Sequence, residues 1–284
     1  MTDSGRSELS LRIISAVVLI PGVLVLDWVG GVTFDIMVTV LAVLMAIEWD
    51  GLMNAGTETP EGGKALRAGF GLAATAALVT AWTGFSYQHF GVGPDLSVIA
   101  AILLAGIVIC QAEQTVRRRP RAWLRSAGVI YICVPSVSFM ALRHEPDGGL
   151  WILWLFIAVW STDIGAYAVG RKLGGAKLAP RISPNKTWSG AIGGVTAAVI
   201  LSAPLSMIMN DFELTLAIPA AIAISVVSQC GDLAESAVKR HLHVKDSGTI
   251  IPGHGGLFDR LDGLLAAAPL ALAIHYFLVS PTTA

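Results

Sequence analysis

The sequence predicts an all-α polytopic membrane protein of about nine transmembrane helices, on three observations. Hydrophobic residues make up 54% of the 284 and charged residues only 14%, against the ~25% charged share of an ordinary soluble domain. The apolar residues fall in runs of about 16 to 22, the length at which a helix crosses a ~30 Å hydrocarbon core. The basic residues cluster between alternate runs, as cytoplasmic loops require.

Nine spans follow in order: Ile13 to Val29, Thr33 to Met53, Ala68 to Phe85, Leu96 to Ala112, Ala127 to Leu142, Leu150 to Gly170, Trp188 to Met209, Leu214 to Leu233 and Gly263 to Val279. Arg6 and Arg12 precede the first, but no A-x-A-like cleavage site follows Pro21, so this run is expected to be a membrane helix and not a cleaved leader. The third and fifth runs are diluted by Ala, Gly and polar residues. No connection is long enough for a separate soluble domain, so residues 1–284 are expected to form one membrane domain.

With the amino terminus in the cytoplasm, the inner segments collect Arg6 and Arg12; Lys64 and Arg67; Arg117, Arg118, Arg119, Arg121 and Arg125; Arg171, Lys172, Lys177, Arg181 and Lys186; and Lys239, Arg240, Lys245 and Arg260. Arg143 alone of the 19 basic residues falls outside. The cluster from Arg117 to Arg125 reads as a topology signal that also attracts anionic lipid. The outer loops, mostly short, carry Asp27, Asp35, Asp95, Glu145, Asp147, Asp211 and Glu213. Cys110, Cys133 and Cys230 lack CxxC spacing and read as small buried hydrophobes.

Chemistry concentrates in residues 150–263. Asp163 lies well inside the sixth span with Tyr167, Gly170 and Arg171 following at helical spacing; an acid at such depth lines an aqueous cavity or pairs with a cation. Ser183 and Pro184 read as the N-cap and first residue of the seventh helix, with Lys186 in its first turn, which would make that helix end an anion site. Asp232, Glu235, Ser236 and Lys239 share one face at the end of the eighth span. They suit a divalent cation beside a phosphate, or a solvated helix end with an i,i+3 or i,i+4 charge pair. A tight glycine loop from Ile251 to Gly256, containing His254, delivers Asp259, Arg260 and Asp262 to the mouth of the ninth span. Carboxylates that leave places for phosphate and water fit Mg²⁺. Glu48, near the inner end of the second span, fits an interfacial position as well as a functional one.

Three segments resemble the phosphatidate cytidylyltransferase family. One runs through Ser236, Lys239, Arg240, Lys245, Asp246, Gly248, Pro252, His254, Gly255, Gly256, Asp259, Arg260 and Asp262. The others run from Asp163 to Arg171 and from Ile182 to Trp188, and the resemblance is specific from about Leu150 to Gly263. Ser189 stands where the family pattern places Glu. The resemblance implies CTP and phosphatidate as substrates giving CDP-diacylglycerol and pyrophosphate, Mg²⁺ on Asp232 and Asp259 with Asp262 and Asp163 as further candidates, a nearby K⁺, a homodimer among membrane lipids and no nucleic-acid partner. The site would face the cytoplasm from the inner (plasma) membrane. Lys186, Lys239, Arg240, Lys245 and Arg260 are assigned to phosphates, with Ser183 and His254 beside them. Two competitors remain: a CTP-dependent lipid-alcohol kinase, which would need a base for its nucleophile, and a transporter, which would show inverted repeats around the midplane.

Overall fold

The computed structural model describes residues 17, 19–54, 70–117, 121–248 and 255–279. Their helices are α1 (Leu19–Val29), α2 (Gly31–Asn54), α3 (Phe70–Phe90), α4 (Leu96–Arg117), α5 (Ala122–His144), α6 (Gly148–Leu173), α7 (Trp188–Ser202), α8 (Leu214–His241) and α9 (Phe258–Ile274). Between α6 and α7 lies an antiparallel hairpin of β1 (Lys177–Ala179) and β2 (Ser183–Thr187), in the register Lys177 to Thr187 and Ala179 to Ser183. Among the described residues, seven helices are long and apolar enough to cross a membrane: α2, α4, α5, α6, α7 with its extension, α8 and α9 with its extension. Of the other two expected spans, the first is described only over its second half, as α1. The third is α3, whose polar residues leave it outside that set. The chain is thus a multi-pass membrane protein.

Helices α3, α4, α5, α8 and α9 each run past one expected end by a turn or more, because polar residues continue the helix beyond the hydrocarbon length. Pro204 ends α7 early, since a residue without an N–H breaks the hydrogen-bond ladder; the chain continues as a 3₁₀ turn over Ala203–Ile208. Pro135, Pro219 and Pro269 stay inside α5, α8 and α9. Membrane helices tolerate this where neighbouring groups satisfy the freed carbonyls.

By packing, the chain divides into two units, Met1–Met140 with His241–Arg260, and Ala141–Arg240 with Leu261–Ala284. In the first, the C-terminal end of α2 is fastened to α5. Trp49 Nε1 donates to the Leu124 carbonyl at 3.1 Å, Arg121 donates to the Met53 carbonyl, and Arg125 pairs with Asp50 and Asn54. Arg125 is only 2% exposed. Its expected role as a lipid-facing topology charge is therefore corrected: a buried guanidinium needs a carboxylate partner, and Asp50 supplies it.

In the second unit, α6 and α7 approach along a seam of small residues. A Cβ on Gly165 would stand 2.5 Å from that of Ala197, one on Gly193 equally close to Val169, and one on Gly194 2.8 Å from the Thr162 carbonyl. Lipid tails offer no hydrophobic drive for helix association, so close backbone approach is what holds such a pair. A similar approach at Gly231 brings α8 against the Asp262 carbonyl and Ala266 of α9. Gly174 and Gly175, at φ of +62° and +100°, turn the chain out of α6 into the hairpin.

Candidate functional site

Four carboxylates and two ammonium groups collect in the second unit. Lys186, on β2, reaches Asp232 Oδ2 of α8 at 2.5 Å, and Ser236 Oγ donates to Asp232 Oδ1 at 3.3 Å. One turn along α8, Lys239 pairs with Glu235 at 2.7 Å, where Glu235 is 3% exposed. Asp262 of α9 lies within electrostatic reach of Asp232, Glu235 and Asp163, and Asp163 of α6 within reach of Asp232 and Lys186. Arg240 Nε donates to the Ile182 carbonyl at 3.3 Å, tying the end of α8 to the hairpin. The charge pair expected at the end of α8 is therefore present as Lys239–Glu235, and the face from Asp232 to Lys239 joins Asp163, Lys186 and Asp262.

The expected helix start at Ser183 is corrected. Ser183 and Pro184 are strand residues, and α7 begins at Trp188 with Thr187 as N-cap, its Oγ1 accepting from Gly190 N at 3.1 Å. Pairing of Ser183–Thr187 with β1 consumes the backbone that a cap would have used. Lys186 consequently projects from a strand toward Asp232 and not from a helix end. Ser189 Oγ bonds the Gly174 carbonyl and approaches Thr187 Oγ1 at 3.1 Å, so here that position fastens the hairpin to the end of α6. Farther along α6, Arg171 Nη1 donates to Tyr167 Oη at 2.6 Å with its guanidinium 5.8 Å from the ring centroid.

The first unit holds Lys245, Asp259 and Arg260; His254 lies outside the described residues. Lys245 and Arg260 are exposed. Asp259 Oδ2 accepts from Ser247 N and Gly256 N, each at 3.0 Å. Beside it is a residue the candidate set had left open: Glu48, 5% exposed, accepts from Ser247 Oγ at 2.6 Å and from Leu257 N at 2.7 Å and Phe258 N at 3.3 Å. A carboxylate inside an apolar span is costly enough to mark the residue, but the N–H groups that donate to it lie about 200 residues away in the chain. Of the cysteines, Cys110 and Cys133 are buried as expected, whereas Cys230 is exposed.

Among the described residues, no three His, Cys, Asp or Glu side chains converge into a ready-made metal cage. The donor set still fits Mg²⁺. Four carboxylates face two lysines in the second unit, and Mg²⁺ takes one or two carboxylates and completes its shell with water and substrate phosphates.

Residues 10–278 match the model of the Cytidylyltransferase family. The chain is 43% identical over 270 residues to the phosphatidate cytidylyltransferase of Brucella suis biovar 1 (strain 1330), covering 93% of this chain and 92% of that one. It is 42% identical over 153 residues to the phosphatidate cytidylyltransferase of Bacillus subtilis (strain 168), covering 53% and 55%. That of Haemophilus influenzae (strain ATCC 51907 / DSM 11121 / KW20 / Rd) is 42% identical over 142 residues, covering 48% and 49%. With the match running across nearly the whole length, the chain belongs to the cytidylyltransferase family.

Proposed function

We propose that the protein is a phosphatidate cytidylyltransferase, a nucleotidyltransferase of phospholipid biosynthesis that converts CTP and phosphatidate into CDP-diacylglycerol and pyrophosphate. The observation that carries this reading is the near-full-length relationship to phosphatidate cytidylyltransferases.

In the reaction, a phosphate oxygen of phosphatidate forms a bond to the α-phosphorus of CTP while the bond to the β-phosphate bridging oxygen breaks and pyrophosphate leaves. The second pKa of a phosphate monoester is ~6, so the nucleophile is largely deprotonated at neutral pH and needs little help from a base. What the protein must supply is orientation and charge. Lys186, Lys239, Arg240, Lys245 and Arg260 are assigned to phosphates, and the sequence resemblance adds His254 to that assignment. Ser183, as a strand residue, contributes by shaping the hairpin that carries Lys186.

Asp232 is the first choice to hold Mg²⁺, with Asp262 and Asp163 around it. Asp259 shares the assignment through the sequence resemblance, although its Oδ2 is engaged with backbone. A bound Mg²⁺ would neutralise charge on the CTP phosphates. A second, monovalent cation, K⁺, belongs to the same proposal. So do nine spans with the amino terminus inside, a site facing the cytoplasm from the inner membrane, and a homodimer among membrane lipids. The alternation of basic and acidic loops supports that orientation.

The test is direct: purified protein in detergent, phosphatidate, CTP and Mg²⁺, with the lipid product identified by mass. CDP-diacylglycerol is expected. Turnover that leaves no nucleotide on the lipid would contradict the proposal.

A further inference from the structure

The first turn of α9 carries Asp259 and Arg260, two of the residues assigned to the reaction, and backbone N–H groups at its start and just before it are bonded to carboxylates. Gly256 N is bonded to Asp259, and Leu257 N and Phe258 N to Glu48. A helix N-terminus with free N–H groups is a ready anion site. Here protein carboxylates take three N–H groups, those of Gly256, Leu257 and Phe258. Glu48 does more than cap. Its Oε1 also accepts from Ser247 Oγ, which joins the segment after α8 to the start of α9.

Backbone approaches this carboxylate closely at two glycines. A Cβ on Gly256 would stand 1.7 Å from Glu48 Oε1 and 1.9 Å from Ser247 Oγ, and one on Gly248 2.5 Å from Glu48 Oε1. Glycine is thus required for backbone to reach it. Glu48 itself sits on a fixed platform, since its neighbours Trp49 and Asp50 are bonded to Leu124 and Arg125 of α5. Trp49 also packs on the Phe258 ring with centroids 5.5 Å apart, and Tyr131 stacks on that ring at 5.8 Å. Two consecutive residues of α2 therefore hold both the backbone and the side chain of Phe258.

We propose that Glu48 is a positioning residue for cytidylyl transfer, which sets the first turn of α9 and with it Asp259 and Arg260. The proposal rests on the functional reading above. It requires Glu48 as an acceptor of hydrogen bonds and not as a charge that meets substrate or metal.

Glu48→Gln separates the two. Its amide oxygen can still accept from Leu257 N and Phe258 N, while its amide nitrogen donates to Ser247 Oγ. Glu48→Asp keeps the charge but withdraws it by one methylene. Glu48→Ala removes the acceptor. The experiment measures kcat per folded molecule together with hydrogen exchange of the Leu257 and Phe258 amides.

In Glu48→Ala and Glu48→Asp the two amides should exchange faster and kcat should fall by about 100-fold, the cost of displacing reacting groups by roughly 1 Å. Glu48→Gln should retain protection and lose no more than about threefold in kcat, as a neutral acceptor replaces a charged one. Should Glu48→Ala fail to fold, the Asp and Gln variants still decide. A Gln variant as inactive as Asp or Ala with its amides protected would overturn the proposal, and so would full kcat in Ala or Asp. If the wild-type protein transfers no cytidylyl group, the functional reading fails on its own. The exchange rates would then still show whether Glu48 anchors the helix.

Discussion

Asp232 is held between Lys186 and Ser236, and replacing it with Asn should lower kcat by about 100-fold or more, the scale of losing one preorganised charge contact to a reacting phosphate. Chelation of Mg²⁺ should abolish turnover of the wild type. Near-normal rates in Asp232→Asn, at normal expression, would take that residue out of the site. At the far end of α9, Glu145 receives a hydrogen bond from His275 at 3.3 Å and another from Tyr276. Hydrogen bonding by His275 first, and by Tyr276 after it, holds the carboxyl below its ordinary range. The stability this contributes is complete above the unfolded carboxylate value and is lost as pH falls through the depressed folded value. Wild type should exceed Glu145→Gln by about 1 kcal/mol at neutral pH, and thermal melts in detergent should show the gap closing on acidification. A gap independent of pH would contradict the assignment.

Among the elements, the α6–α7 seam carries the clearest prediction. Gly165→Leu would drive a side chain into Ala197 and the Gly193 carbonyl, an overpacking worth ~1–3 kcal/mol. Because α6 bears Asp163 and α7 follows the strand that bears Lys186, activity should fall along with melting temperature. A fully stable, fully active variant would show that the seam does not position them. The helices themselves were legible because apolar run length sets them directly. The hairpin was not. Ser183 and Pro184 carry a strong helix-start signature, and only pairing with Lys177–Ala179 overrides it. Glu48 was legible as an anomaly and not as an anchor, since its partners, residues 247 and 257–258, come near it only through tertiary structure. In sequence Arg125 resembles the other arginines of its cluster, and only its tertiary contacts with Asp50 and Asn54 set it apart.

For the whole molecule, the segregation of basic residues predicts that single cysteines placed at Lys177 and Lys245 label only from the cytoplasmic side. Labelling of either from outside would break the link between topology and site. The central claim is that the nucleotide, and not the terminal phosphate, is joined to a lipid. CTP labelled at the α-phosphate or at the γ-phosphate, incubated with the purified protein, phosphatidate and Mg²⁺, tests it most directly. The α-label should pass into the lipid and the γ-label should be released as pyrophosphate. Transfer of the γ-label to lipid, with the α-label left on CDP, would identify a lipid kinase and contradict the proposed reaction.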